Sequence, residues 1–366
     1  MVSEKNIGII GLGLIGGSVA RALKRCGKGY TIYAYDRDEQ TLHEALAEKI
    51  IDHMILSLKE DLSKCGLIFL CIPVNIMEAT LAELMPGLSP QCILTDAGST
   101  KGEVAEFIEK IGLEDRFIGG HPLAGSEKSG FSASKANLFE NAFYCLAPTL
   151  KTPQGAMDYL KDVIKDMGAI PLEMSPEEHD RAVAVISHVP HIVAALLVNL
   201  TGSLDNPQNT MKTIAAGGFK DITRIASSSP ELWTGICFSN RDEILGALSE
   251  LEKALTRFKK ALKCGDLKEV QHFFSAAGRL RSTFSDRKSL IQKTFDILVD
   301  VDDRPGIIAV ISSALAKENI NIKNIGILNN REHEEGALEI QFEDEGSRFH
   351  GITTLSRLGY SVKKKE

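Results

Sequence analysis

Ile7-Gly8-Ile9-Ile10 runs straight into Gly11-Leu12-Gly13-Leu14-Ile15-Gly16, and a helical pattern continues from Leu14 to Lys24. A short apolar run, a G-x-G-x-x-G and a helix read as the opening of a dinucleotide-binding βαβ unit. Gly11 permits a tight turn, Gly13 lets a pyrophosphate approach the backbone, and Gly16 lets the helix lie close to the sheet. The helix start offers free N–H groups and a partial positive charge to phosphates. The glycines alone are a weak signal; Asp36, twenty residues past Gly16 at the end of a second apolar run, makes it specific. Its carboxylate suits a ribose 2′-hydroxyl and repels a 2′-phosphate, favouring NAD over NADP, although Arg37 beside it could accommodate that phosphate. Gly11, Leu12, Gly13, Leu14, Ile15, Gly16, Asp36 and Arg37 form the expected cofactor set, joined by Pro73 past the run Leu67 to Ile72.

Outward from this loop, apolar runs and helical patterns alternate as far as Ser175. Thr31 to Asp36, Leu67 to Ile72 and Cys92 to Ala97 read as buried strands, and Glu39 to Lys49 and Asn75 to Leu84 as helices. This predicts a Rossmann-type, doubly wound parallel sheet over residues 1–175, with Phe143 to Ala147 and Ile170 to Leu172 as added edge strands. From Pro176 to about Leu290 the period is helical throughout. Ser175-Pro176-Glu177-Glu178 and Ser229-Pro230-Glu231 each place a capping residue before proline and acid, so residues 176–290 are expected to be an all-helical domain. Ser285-Asp286-Arg287-Lys288-Ser289 reads as a linker. Residues 291–366 then alternate strand and helix in the order βαββαβ, a small ferredoxin-like unit. Its expected strands are Thr294 to Val301, Ile320 to Leu328, Ala337 to Phe342 and Tyr360 to Lys363.

The 366 residues are 43% hydrophobic and 25% charged, which is globular composition and exceeds what one core usually serves. With 42 basic against 49 acidic residues the net charge is −7, so no nucleic-acid partner is expected. Seven scattered cysteines without a C-x-x-C argue against a disulfide framework or a zinc site and for a reducing, cytoplasmic setting. No secretion signal is expected ahead of the strand at Asn6. The most apolar stretch, Ala182 to Leu200, carries Ser187, His188, Pro190, His191 and Asn199, so it reads as a buried bundle helix and not as a membrane span.

Ligands lie at the carboxyl ends of parallel strands in such folds. There the chain places Asp96-Ala97-Gly98-Ser99-Thr100-Lys101-Gly102 and Gly119-Gly120-His121-Pro122-Leu123-Ala124-Gly125-Ser126-Glu127. Glycines flanking His121 suggest close approach by another molecule. An imidazole suits the proton acceptor that a dehydrogenase needs when hydride leaves an alcohol carbon, and Ser99 could orient the ring or the substrate. His188 and His191 share one helix face, with Pro190 expected to bend the helix; no third metal ligand accompanies them. His179-Asp180 reads as a solvated turn.

Gly-Gly-His-Pro-Leu-Ala-Gly-Ser-Glu, Ser187-His188-Val189-Pro190-His191 and Gly217-Gly218-Phe219-Lys220-Asp221-Ile222-Thr223-Arg224, in this order, resemble the prephenate dehydrogenase family from Asn6 to about Leu290. The resemblance implies NAD-dependent oxidative decarboxylation of prephenate to 4-hydroxyphenylpyruvate on the route to tyrosine. It implies that His121 accepts the ring-hydroxyl proton with Ser99 as helper, and that Arg224 clamps a substrate carboxylate. It further implies that His191, Ser126, Glu127, Lys220, Asp221 and Trp233 belong to the pocket, with Glu127, Asp221 and Arg224 as an ionic gate, and that the helical domain forms a homodimer. Arogenate as substrate, or a catalytically silent NAD- or amino-acid-binding regulator, stay open as alternatives; the intact set of Ser99, His121, His191 and Arg224 argues against the silent one. The C-terminal unit, through Asp302-Asp303-Arg304-Pro305-Gly306, resembles the ACT regulatory domain. Asp302, Pro305, Gly306, Asn321 and Asn324 would then bind an amino acid, with tyrosine the logical feedback ligand.

Overall fold

The apolar runs of the first half line up as an eight-stranded sheet in a computed structural model. It describes residues 3–59, 62–125, 128–284, 295–302, 304–328 and 335–364. The strands are β1 (Ser3–Ile10), β2 (Thr31–Tyr35), β3 (His53–Ile55), β4 (Cys65–Leu70), β5 (Ile93–Asp96), β6 (Phe117–Pro122), β7 (Phe143–Pro148) and β8 (Ile170–Glu173), in the order β3-β2-β1-β4-β5-β6-β7-β8. All neighbours pair in parallel except β6 and β7, so the predicted edge strands form but reverse direction. β3 has no counterpart among the predicted strands; three residues are too few for a period to register.

Helices α1 (Leu14–Arg25), α2 (Glu39–Ala47), α3 (Met77–Leu84), α4 (Gly102–Lys110) and α5 (Gln154–Asp166) accompany the sheet. β4 is buried along its whole length, as a strand covered on both faces must be. Leu67 and Phe69 enter one core with Ile7 and Ile9, while Ile68 and Leu70 enter the other with Ile10. The chain reverses its winding between β1 and β4, which opens a crevice at their carboxyl ends.

The helical segment contains α6 (Pro176–Val183), α7 (Val189–Leu204), α8 (Thr210–Ile214), α9 (Gly217–Thr223), α10 (Pro230–Ser239), α11 (Arg241–Cys264) and α12 (Leu267–Thr283). Ser175 and Glu178 close a reciprocal capping box on α6, and the Ser229 hydroxyl caps α10. Between α6 and α7 lies one π-helical stretch, Ala184–His188, so the deviation ends two residues before Pro190 and α7 restarts with that proline in its first turn. The expectation of a buried bundle helix is not met. Of α7 only Ala194 is buried, and Leu196, Val198, Leu200 and Leu204 are exposed, because among the described residues of this unit no second layer lies over them. Pro176–Leu204 is also long and apolar enough to cross a membrane.

Two compact units divide the chain, Met1–Phe273 and Phe274–Glu366. The expected linker Ser285 to Ser289 lies outside the described residues. In the second unit β9 (Phe295–Asp302), α13 (Ile307–Lys317), β10 (Asn324–Leu328), β11 (Glu335–Phe342), α14 (Glu345–Arg357) and β12 (Val362–Lys364) follow in the predicted βαββαβ order. The strands form a wholly antiparallel sheet, β10-β11-β9-β12, over a core that includes Ile297, Val299, Ile311, Leu338 and Leu355. Asn321 precedes β10 and is not on it. The expected strand absorbed the approach Ile320 to Lys323 because its apolar alternation continues unbroken into β10.

Candidate active site

At the switch point the glycine loop takes the shape its sequence demands. Gly11 has φ +95°, and a Cβ there would lie 2.5 Å from the Cys71 carbonyl oxygen; one on Gly16 would lie 1.9 Å from the Gly11 carbonyl oxygen. Around Gly13 the space is open, and a Cβ there would have nothing within 4 Å. Loop and helix thus pack on each other at Gly11 and Gly16, while at Gly13, which carries no side-chain cap for α1, room for an anion remains. Asp36 accepts the Leu12 N–H at 2.7 Å and the Asp38 N–H at 2.9 Å, tying the second strand to the loop. A carboxylate with about four acceptor positions keeps capacity for ribose hydroxyls after two such bonds. Leu12 is buried beneath the loop, Leu14 and Ile15 start α1, Arg37 is exposed, and Pro73 opens the 3₁₀ turn after β4. These residues fit a dinucleotide.

Two strands across from β4, His121 occupies the carboxyl end of β6. Its Nδ1 lies 2.8 Å from His179 Nε2 on α6, and His179 Nδ1 lies 2.7 Å from Asp180 Oδ1. Asp180 also accepts the backbone N–H groups of Lys101 and Gly102, each at 2.7 Å, at the start of α4. These donors outweigh the burial that opposes its charge and hold Asp180 below the usual carboxylate range. His179 and Asp180 are therefore buried components of the site, not the solvated turn their polarity suggested. The signal lay four residues on. Val183 and Ala184 share the face of His179 and Asp180, and an apolar i+4 partner marks that face as inward.

Asp180 can only accept, so His179 donates from Nδ1 and presents its Nε2 lone pair. His121 must then donate from Nδ1, which leaves its own Nε2 unprotonated and available as a base. Burial, together with the neighbouring His179, Lys101 and His188, depresses the His121 pKa well below its ordinary value. The glycines before His121 also read differently in place. A Cβ on Gly120 would meet the Asp96 carbonyl at 2.4 Å, and one on Gly119 the Lys101 side chain at 3.0 Å. The close approach is by the protein itself, where the sequence suggested another molecule.

The helical segment adds a second group. His188 is buried; its Nδ1 lies 3.2 Å from Asn240 Nδ2, which also donates to the Asp180 carbonyl at 2.8 Å. Burial brings the His188 pKa down to about 4, against the pull of Asp180. His191, one turn on, donates from Nδ1 to the Ser187 carbonyl at 2.9 Å and stacks on Trp233 with 3.9 Å between ring centroids. Burial lowers the His191 pKa, the Ser187 bond opposes this, and the Arg224 charge adds to the lowering. Arg224, Lys220 and Asp221 are exposed at the end of α9, Ser99 is half-buried between β5 and α4, and Ser126 and Glu127 lie outside the described residues. In the second unit Asp302, Pro305, Gly306, Asn321 and Asn324 are all exposed.

The arrangement joins a dinucleotide cradle to a half-buried imidazole whose pKa is depressed. Two family models match the chain: the nucleotide-binding domain of prephenate dehydrogenase over residues 19–171, and the prephenate dehydrogenase dimerization domain over residues 175–276. A prephenate dehydrogenase of Bacillus subtilis is 40% identical over 344 residues, covering 93% of this chain and 92% of its own. Among solved structures, the A. aeolicus prephenate dehydrogenase in complex with hydroxyphenyl propionate and NAD+ is 35% identical, with a TM-score of 0.73 over 78% of this chain and 99% of that one. Synechocystis arogenate dehydrogenase is 32% identical, with a TM-score of 0.69 over 76% of this chain and all (100%) of that one.

Proposed function

The chain belongs to the prephenate dehydrogenase family, and from that premise we propose that His121 is the base of an NAD-dependent oxidative decarboxylation of prephenate to 4-hydroxyphenylpyruvate. The observation that carries this reading is the relay from Asp180 through His179, which leaves His121 Nε2 unprotonated at the carboxyl edge of the sheet. Gly11, Gly13, Gly16 and the start of α1 would hold the pyrophosphate, and Asp36 the ribose. When bound, NAD supplies the hydride acceptor.

His121 Nε2 takes the proton of the ring hydroxyl as hydride departs from the same carbon, so the C–OH becomes C=O. The bond from the ring to its carboxylate then breaks and CO2 leaves; the electron pair restores aromaticity and makes the oxygen a phenolate, which takes back the proton held on His121 Nε2 to become the phenol. The gain of an aromatic ring makes the overall step irreversible. Arg224, whose charge acts on the His191 ring, is assigned to a substrate carboxylate, where a guanidinium can bind two oxygens at once. Ser99 is assigned to the hydroxyl end, at the strand end next to that of His121. Holding both ends fixes the ring for transfer, which is a large share of the rate such sites achieve.

Residues 1–175 would then carry the cofactor, 176–290 the substrate cations and a homodimer contact, and 291–366 regulation. The dimer reading is supported by the exposed apolar residues of α7 and by the match to a dimerization domain. The βαββαβ order supports an ACT unit, with tyrosine as its feedback ligand near Gly306. The test follows absorbance at 340 nm with prephenate or arogenate and NAD or NADP. Reduction of NAD by prephenate with one CO2 per turnover is the expected result. Reduction by arogenate alone would reassign the substrate, and no reduction by either would favour the silent regulator.

A further inference from the structure

One buried group of charges remains without a role in the reaction. Asp96, at the end of β5, and Lys101, just before α4, are both fully buried and form an ion pair. Asp96 Oδ1 accepts the Gly120 N–H at 2.9 Å, and Lys101 Nζ donates to the Gly120 carbonyl at 2.8 Å. Main-chain pairing between β5 and β6 ends at Thr95 and Ile118, so Gly119 to His121 has no ladder partner on the β5 side. Two side chains take the place of the missing ladder at the residue before His121.

A buried ion pair is poor evidence of a stability role, because the cost of desolvating two charges often cancels their attraction. The location is more informative. Lys101 is linked to His121 indirectly by two routes: its Nζ holds Gly120, and its backbone N–H anchors Asp180, the head of the relay to His121 Nδ1. We propose that the Asp96–Lys101 pair is a positioning device that holds the main chain at Gly120 and so fixes where His121 Nε2 meets the substrate hydroxyl. This rests on His121 being the base.

The charged and titratable groups around His121 are His179 from α6, His188 from the π-helical stretch and Lys101 from the α4 approach, with Cys145 opposite it on β7 and Asp96 paired to Lys101. Of these Lys101 supplies the cation that disfavours a second one on the imidazole, so its effect on the base is readable in a pH profile.

The experiment compares wild type, Lys101→Met, the double variant Asp96→Asn with Lys101→Met, and His121→Asn. The double variant leaves no unpaired buried charge. It is expected to fold, to bind NAD within about twofold of wild type, and to lose about ten- to a hundredfold in kcat, the scale of a misplaced reacting group. In Lys101→Met the acidic limb of kcat/KM is expected to move to higher pH. A folded double variant with wild-type kcat overturns the proposal. A double variant that cannot fold also overturns it, since the pair would then be needed for stability. Normal turnover in His121→Asn would refute the base assignment itself; an inactive His121→Asn beside a wild-type double variant would refute the positioning role alone.

Discussion

Asp180 can only accept hydrogen bonds, and that constraint propagates through His179 to the far nitrogen of His121. An amide at this position would place donor hydrogens against the Gly102 N–H and loosen the tautomer that the carboxylate enforces. Asp180→Asn is expected to lower kcat by about a hundredfold or more while the Kd for NAD is unchanged, as in other sites where a base loses its orienting acid. Titration calorimetry with NAD and steady-state rates with prephenate check the two halves separately. Because burial holds the His121 ring neutral, the acidic limb of kcat/KM in the wild type should fall below pH 6.5. His121 was legible in the sequence, from its place after a strand and from its motif; its two partners were not. Fifty-eight residues separate His121 from His179, and a contact at that distance leaves no mark on local periodicity. Polarity alone then misassigns a buried His-Asp pair to solvent.

Elements carry a different record. The strands around the glycine loop were legible because each is a buried apolar run bounded by turn residues, and the three glycines because each has its own steric duty. Those duties separate fold from function. A Cβ on Gly16 would strike the Gly11 carbonyl, whereas one on Gly13 meets nothing. Gly13→Ala is therefore expected to keep its melting temperature within a few degrees and to weaken NAD binding by about tenfold or more, since the methyl fills the space left for phosphate. Gly16→Ala is expected to lower the melting temperature as well; equal thermal stability of the two variants would contradict this division. The π-helical stretch was not legible, because one inserted residue in a helix needs no particular side chain. It sets His188 against Asn240 and keeps it buried and neutral down to about pH 4. In the unfolded chain the same ring gains its proton near pH 6.5. Falling pH thus favours unfolding through this group between about 6.5 and 4 and adds nothing further below, on the order of 3 kcal/mol in all. In His188→Gln, whose amide oxygen can still accept from Asn240, denaturant melts at pH 7, 5.5 and 4 should lose that share of the pH dependence.

At the scale of the whole molecule, the apolar stretch Ala182 to Leu200 marks where reading one chain stops being enough. Its composition argued for burial, and burial within the chain is largely missing: Val185, Ile186, Leu196 and Leu200 are each more than half exposed, at 58%, 67%, 57% and 53%. Polar His188 and His191 in the same stretch face the site instead. Apolar area at this density costs about 25 cal/mol for each Å² left in water, a cost that a second copy removes by covering it. A net charge of −7 opposes association at long range, but the Debye length is about 8 Å at physiological salt, so contact burial prevails over it. The chain of 39.9 kDa is therefore expected to sediment at twice that mass at micromolar concentration. Leu196→Glu with Leu200→Glu places two charges on the exposed face of α7, one turn apart, where a dimer would have to desolvate them. Sedimentation velocity should show that variant as a monomer with its far-ultraviolet dichroism intact. A wild-type monomer, or a charged variant that still pairs, would move the contact off α7 and leave its exposed leucines to another partner.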